Sequence, residues 1–105
     1  AMSGSGPASV FYFIESMVEA GIEMGLSPAQ AHVLAVGTFT GASALAAASS
    51  EAPATLRERV TSKGGTTHAA ISALDAAGVK AKFKTAIRAA EQRARELAQE
   101  FGKAG

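Results

Sequence analysis

The stretch SPAQAHVLAVGTFTGASALAAA, residues 27–48, decides how this chain folds. Ser27 is a residue type that caps helices, Pro28 suits a first helical turn, and Gln30 stands three positions after Ser27, as in a capping box. The sequence therefore predicts a helix that begins at Pro28 and runs to about Ala48.

Charge is absent from this helix and from its flanks. Between Met24 and Ser50 the chain has no Asp, Glu, Lys or Arg. A membrane span has this property, but the segment is mostly Ala, Gly, Ser and Thr, so its transfer into lipid is only weakly favourable. We therefore predict a buried helix and no membrane partner.

A helix without a polar face has to be covered on most sides. A chain of 105 residues has too few other elements to cover it, so we predict that a second copy of the chain packs there. Gly37 and Gly41, four residues apart, would let the second backbone approach closely. The alternative is that these small residues pack inside one monomer.

Apolar residues at helical spacing also precede this segment. Residues 3–6 are expected to be a flexible lead-in, Pro7 begins a helix, and Gly25 ends it after about Met24. The apolar stripe of this helix consists of Phe11, Ile14, Val18 and Ile22, and its acidic stripe of Glu15, Glu19 and Glu23.

The same periodicity follows the segment. A short helix is predicted from Pro53 to Val60, with Leu56 and Val60 facing inward. A longer one, from Thr66 or Thr67 to a stop at Gly78, has three residues that we expect to be buried, namely Ala70, Ile71 and Leu74.

The last predicted helix is the most regular and is followed by a frayed tail at residues 102–105. Its apolar face consists of Val79, Phe83, Ile87, Ala90, Ala94, Leu97 and Phe101. No segment alternates with period two over the length of a strand. The predicted fold class is therefore all-α, a compact domain of about five helices that spans residues 1–105.

The composition excludes several kinds of partner. Ten Lys and Arg against nine Asp and Glu give a net charge of +1, too small to favour nucleic acid. The absence of cysteine excludes disulfides and thiolate chemistry and suits a reducing, cytoplasmic location. His32 and His68 lack a metal-ligand spacing, so no metal site is predicted, and the opening SGSGP is unlike a signal peptide.

The segment TSKGGTT, residues 61–67, is the one that could carry chemistry. Glycines directly before a helix let backbone amides turn toward a ligand, and the first amides of a helix favour an anion. The segment therefore has the form of a carboxylate or phosphate site, to which Thr66 and Thr67 add hydroxyls. On the residues alone, however, an ordinary turn and helix cap is the favoured interpretation, with Lys63 solvated and His68 packed or exposed.

The same segment lies within a longer motif. The run P-x-x-L-x-x-x-V-T-S-x-G-G-T-T-x-A-A-I-x-x-L-D, residues 53–75, resembles the signature of pyrroline-5-carboxylate reductases. The opening SGSGPASVFYFIE and the stretches AGIEMGL and TGASAL are similar to that family's C-terminal domain, so the resemblance covers nearly the whole chain. Two positions depart from it: Lys63 stands where proline is common, and His68 where an aliphatic residue is common.

The resemblance implies a function. Enzymes of this family reduce 1-pyrroline-5-carboxylate to L-proline with NADPH or NADH, the last step of proline biosynthesis. A Rossmann domain that is absent from this chain would hold the cofactor, and the helical domain would form an intertwined homodimer. Because no complete GxGxxG fingerprint follows a strand, the chain alone is expected to be inactive.

The resemblance also implies roles for individual residues. The amides of Thr66 and Thr67 would bind the substrate carboxylate, and the Thr67 hydroxyl would hydrogen-bond the ring nitrogen as the catalytic contact. The other substrate-binding residues that it implies are Val60, Ser62, Gly64 and Gly65. Ser5 and Pro7 would approach the nicotinamide.

Two other functions remain open on the sequence. The chain could be a stand-alone helical dimerisation module, in which GGTT is only a cap. It could also be the helical domain of a different dehydrogenase that has a Rossmann partner. The preference for NADPH or NADH and assembly beyond a dimer are not encoded in the residues at hand.

Overall fold

The computed structural model describes the backbone of residues 2–104 and the side chains of residues 4–102. Five α-helices follow one another in this part of the chain: α1 (Met2–Glu23), α2 (Pro28–Ala48), α3 (Pro53–Arg59), α4 (Thr66–Ala76) and α5 (Val79–Ala104). No strand occurs in the described backbone, so the all-α prediction with about five helices is confirmed. The chain divides into two units, one formed by Ser9–Ser62 and the other by the residues before and after that range.

The first helix begins earlier than the sequence predicts. Residues 3–6 belong to α1, and Pro7 lies inside the helix rather than at its start, so the prediction of a flexible lead-in was wrong. A proline normally disfavours helical backbone in the residue before it, because its ring meets that residue's Cβ. Gly6 has no Cβ, and it can therefore remain helical directly before Pro7.

The turn between α1 and α2 follows the prediction closely. Gly25 has a φ of +105°, and the amide of Leu26 donates to the carbonyl of Gly21 at 3.0 Å, which ends α1. The Ser27 hydroxyl accepts from the amide of Gln30 at 3.1 Å, and the Gln30 side chain accepts from the amide of Ser27 at 3.0 Å. Both halves of the capping box are present.

The core that α1 and α2 form together is very small. The fully buried apolar residues among those described are Ala31 and Ala35, which are 2% and 1% exposed. A Cβ added at Gly21 would lie 3.2 Å from the Cβ of Ala31, so the two helices approach closely at this point. Small side chains, rather than large interlocking ones, allow this approach.

Most of α2 is exposed within a single chain, although Val36 and Phe39 are half-buried, so the described chain does not itself supply the predicted burial. Val33 and Leu45 are each 68% exposed, and no atom lies within 4 Å of a Cβ built at Gly37 or Gly41. A shallow apolar groove of about 440 Å³ lies along the start of this helix, and it is lined by Leu26, Ala29, Gln30, Val33 and Leu34. By length and composition alone, α2 could also cross a membrane.

The short helix α3 ends at Arg59, one residue before the predicted end. Val60 is its C-cap and is 67% exposed, so the prediction that Val60 faces inward was wrong. Leu56 is half-buried, as expected for the inward face. A helix of seven residues has one narrow inward face, and Val60 lies beyond its end.

In the second unit α4 contacts α5, and Gly78 separates them with a φ of +68°. Ile71 is half-buried, but Ala70 and Leu74 are exposed, contrary to the prediction. The contact with α5 covers only one side of α4, which explains the difference. Among the described residues, Leu74 remains 48% exposed.

The last helix is longer than predicted. It continues through Ala104, so residues 102–104 are helical and not frayed; Gly105 lies outside the described residues. Its apolar face is half-buried at Val79, Phe83, Ile87 and Ala90, and exposed at Ala94, Leu97 and Phe101. The apolar face of α5 is therefore less buried toward the C-terminus.

Candidate functional site

The beginning of α4 has the backbone form that an anion site requires. Residues 63 and 64 form a turn, in which Gly64 has a φ of +76°. Such a left-handed φ is costly for residues with a Cβ, which accounts for glycine at this position. Gly65 follows in extended conformation, with φ −86° and ψ −179°, and is the N-cap of α4.

The first amides of α4 are left without protein acceptors. Gly65 has no side chain that could cap the helix, and no side-chain cap bond is present. The carbonyl of Gly65 accepts from the amide of Ala69 at 3.1 Å, so the regular helical bonds begin there. The amides of Thr66 and Thr67 form no hydrogen bond with any described residue, and they remain available to a ligand.

The two hydroxyls at this helix end are also unused. The hydroxyls of Thr38, Thr61 and Thr85 each donate to the carbonyl four residues back, at 2.7, 2.6 and 3.1 Å. Thr66 and Thr67 form no such bond with the described residues, and Thr67 is half-buried whereas Thr66 is exposed. Four donor groups, two amides and two hydroxyls, therefore meet within two consecutive residues.

The other predicted site residues are spread over several elements. Val60, the C-cap of α3, and Ser62 are exposed and belong to the first unit, whereas Gly64 and Gly65 belong to the second. Ser5 and Pro7 are exposed positions on the first turns of α1. The structure thus brings together Gly64, Gly65, Thr66 and Thr67 in one turn and helix start.

The two departures from the family motif lie in this turn and in the first turn of α4. Lys63 and His68 are both exposed, and Lys63 forms no ion pair with a described residue. Among the described side chains there is no group of three or more His, Asp or Glu that could hold a metal ion. The chemistry that this site offers is therefore hydrogen bonding from neutral donors to a negatively charged or carbonyl-like ligand.

These features define a class of protein: a helical module with an unsatisfied helix start on one unit and a largely uncovered, uncharged helix on the other. Comparison with known proteins gives the family. Residues 1–97 match the family model for pyrroline-5-carboxylate reductase dimerisation. The pyrroline-5-carboxylate reductase of Pseudomonas aeruginosa is 46% identical over 102 residues, and that of Arabidopsis thaliana is 39% identical over 98 residues.

Solved structures agree with the sequence comparison. A pyrroline-5-carboxylate reductase from Coxiella burnetii superposes with a TM-score of 0.87 at 40% identity, over 91% of this chain and 36% of that one. The pyrroline carboxylate reductase of Plasmodium falciparum with NADP bound gives a TM-score of 0.81 at 32% identity, over 84% of this chain and 35% of that one.

This chain belongs to the pyrroline-5-carboxylate reductase family, and it corresponds to that family's dimerisation domain. It covers a limited part of its relatives. The matched region amounts to 97% of this chain but 37% of the Pseudomonas aeruginosa protein, and to 93% of this chain but 36% of the Arabidopsis thaliana protein.

Proposed function

We propose that the start of α4 binds the carboxylate of 1-pyrroline-5-carboxylate, within an NADPH- or NADH-dependent reductase that produces L-proline. The observation that carries the proposal is the set of unsatisfied donors on Thr66 and Thr67. A helix start favours a carboxylate by roughly 0.3–1 kcal/mol through its dipole, and each amide adds a charge-assisted hydrogen bond. The identity of the substrate is taken from the relatives, which are named pyrroline-5-carboxylate reductases.

The contribution of this chain to the reaction is positioning. The carboxylate binds the amides of Thr66 and Thr67, and the Thr67 hydroxyl hydrogen-bonds the ring nitrogen, where the amine develops. Gly64 and Gly65 keep side chains away from the substrate, and the resemblance to the family adds Val60 and Ser62 to the residues expected to bind it. Substrate held in this way presents its imine carbon in a fixed orientation. The entropy cost of orienting the substrate is then met on binding and no longer adds to the reaction barrier.

The cofactor belongs mainly to a domain outside this chain. A nicotinamide dinucleotide supplies the hydride when bound, and a complete Rossmann fingerprint does not occur in this sequence. Ser5 and Pro7 are the residues of this chain that we expect beside the nicotinamide. The chain by itself is therefore proposed to bind substrate without reducing it, in the cytoplasm.

A titration of the isolated chain with L-proline tests the site. We expect amide chemical-shift changes at Thr66 and Thr67, and none at Ser27 and Gln30, whose helix start is already capped. A stand-alone dimerisation module would show no change at either helix start. Fusion of the chain to the N-terminal part of the Pseudomonas aeruginosa relative, which it does not cover, tests the reductase activity.

We also propose that the chain forms a homodimer through α2. Val33, Leu34 and Leu45 are exposed on α2, a helix without a charged residue, and the described residues of the chain leave them uncovered. The family model that matches the chain is one of dimerisation.

Gly37→Leu tests the dimer. Because no described atom beyond its own helix backbone lies within 4 Å of a Cβ at Gly37, the chain itself does not crowd a larger residue at its Cβ, and a large effect would point to a second chain. We expect the variant to dissociate or to precipitate, by sedimentation or light scattering. Gly102→Leu, at another open helical glycine, is the control that should keep the wild-type size. If the Gly37→Leu variant keeps the wild-type size in solution, Gly37 does not lie in the dimer interface.

A further inference from the structure

Two basic side chains flank the open start of α4. Lys63 lies in the turn before the helix, and His68 lies in the first turn of the helix itself. Both side chains are exposed, and neither forms a hydrogen bond or an ion pair with a described residue. Both belong to the same unit as the turn and α4, so their placement around the helix start is a property of that unit alone.

The position of His68 brings its side chain within reach of the helix start. Because Gly65 is the N-cap, His68 occupies the third helical position of α4. Gln30 occupies the same position in α2, where its side chain accepts from the amide of the N-cap Ser27 at 3.0 Å. An imidazole carries its N–H at a comparable distance from the backbone, so His68 can reach a ligand held by the first amides of α4.

No acidic residue near in the chain offsets these two side chains. Between Glu58 and Asp75 the sequence contains neither Asp nor Glu, and Asp75 lies in the last turn of α4, at the opposite end of the helix. The helix dipole disfavours a positive charge in the first turn and favours an anion there. An anionic ligand at this helix start therefore complements the dipole and both basic side chains.

We propose that Lys63 and His68 make this site selective for the charge of its ligand. The imidazole of His68 donates to the carboxylate that the amides of Thr66 and Thr67 hold, and the ammonium group of Lys63 attracts that carboxylate from the turn. The chain departs from the family motif at these two positions, where proline and an aliphatic residue offer no side-chain donor. This role rests on the proposed function of the site, and it names the residues that distinguish a carboxylate from a neutral group of similar shape.

Binding of L-proline and of L-prolinamide to the chain tests this selectivity, because L-prolinamide replaces the carboxylate by a neutral amide. We expect His68→Leu to weaken L-proline binding about three- to tenfold, the effect of one hydrogen bond to a charged group at an exposed site. Lys63→Ala should weaken it about two- to threefold, as for an exposed ion pair. The preference for L-proline over L-prolinamide should fall in both variants, because a neutral amide gains less from either side chain.

Two further variants serve as controls. His68→Arg keeps a cationic donor at the same position and should retain the preference for L-proline. Lys80→Ala removes the same charge as Lys63→Ala from an exposed lysine near the other end of α4, which has no ion pair with a described residue, and it should leave both affinities unchanged. A parallel loss of affinity for both ligands in His68→Leu and Lys63→Ala would show a merely structural role and would overturn the proposal.

The amide chemical shifts of Thr66 and Thr67 separate this proposal from the proposed function. If L-proline shifts them in the wild type, and both His68→Leu and Lys63→Ala keep the wild-type preference, the charge selectivity is overturned and the proposed function stands. Loss of the preference in one variant alone assigns the role to that residue and overturns it for the other. If L-proline leaves the two amides unshifted in the wild type, the proposed function fails, and the role of the two basic residues fails with it.

Discussion

The helices α2 and α4 begin in opposite ways. At α2, Ser27 and Gln30 satisfy each other's amides in a closed capping box. At α4, Gly65 offers no side chain, and the amides of Thr66 and Thr67 remain without acceptors in the described part of the chain. Every helix start has the same backbone amides to satisfy, so the difference supports the proposal that α4, unlike α2, keeps its first amides for a ligand.

The largest effect is expected when the open helix start is given its own anion. Gly65→Asp places a carboxylate where it can cap the amides of Thr67 and His68, and the extended φ of Gly65 permits an aspartate there. Two negative charges about 5 Å apart repel by about 3 kcal/mol at an effective dielectric constant of ~20. We expect carboxylate binding to weaken about a hundredfold.

Binding of L-proline by NMR or calorimetry measures this effect. Gly65→Ala, which adds a Cβ but no cap, is the matched control and should bind much more tightly than Gly65→Asp. Equal affinity in Gly65→Asp and wild type would mean that the carboxylate does not bind at this helix start.

Removal of one hydroxyl is expected to have the next largest effect. Thr67→Ala in the reductase fusion should lower kcat/KM by about 0.5–3 kcal/mol of transition-state stabilisation, the range for one hydrogen bond to a neutral or charged group. The stability of the fold should hardly change, because the hydroxyl has no bond to a described residue. Kinetics identical to wild type would show that the Thr67 hydroxyl takes no part in the reaction.

The capping box at the start of α2 allows the complementary experiment. Ser27→Ala removes the acceptor for the Gln30 amide and should cost about 1 kcal/mol of the free energy of unfolding. Binding of L-proline by the folded protein should be unaffected. Thermal or urea unfolding at a fixed protein concentration measures the cost, and a loss of ligand affinity at full folding would contradict the division of roles between the two helices.

The smallest effect concerns the turn before α4. A turn at residues 63 and 64 with Gly64 at φ +76° matches type II, in which proline is favoured at the position of Lys63. Lys63→Pro should therefore stabilise the chain by about 0.4–1 kcal/mol by restricting the unfolded state. Lys63→Ala, which loses the same charge, separates this effect from electrostatics. Destabilisation by Lys63→Pro alone would show that the turn needs another backbone conformation.

Local sequence signals account for most of the fold. The capping box at Ser27, the left-handed glycines Gly25 and Gly78, and the start of α4 at Thr66 were all predicted, because each depends on a few neighbouring residues. The start of α1 was missed, since helix continuation through Pro7 depends on the absence of a Cβ in Gly6. Burial was predicted least well, because it depends on elements outside one chain.

The candidate site was predicted in part. Glycines before a helix start indicate open amides, and the amides of Thr66 and Thr67 have no acceptor among the described residues. The ion pair between Glu51 and Arg59 gave no signal in the sequence, because Glu51 precedes α3 and Arg59 ends it, so the pair lies outside the i,i+3 and i,i+4 spacings of helical side chains. Contacts that span a short helix become visible only in three dimensions.

The two buried alanines have a consequence for how this domain unfolds. Ala31 and Ala35 are the fully buried apolar residues among those described, so the core of one chain is small against the about 1–2 kcal/mol of backbone entropy that each of its ordered residues costs. Folding and association should then form a single equilibrium. Dilution alone would then unfold the protein, because it would dissociate the dimer. The melting temperature would rise with protein concentration.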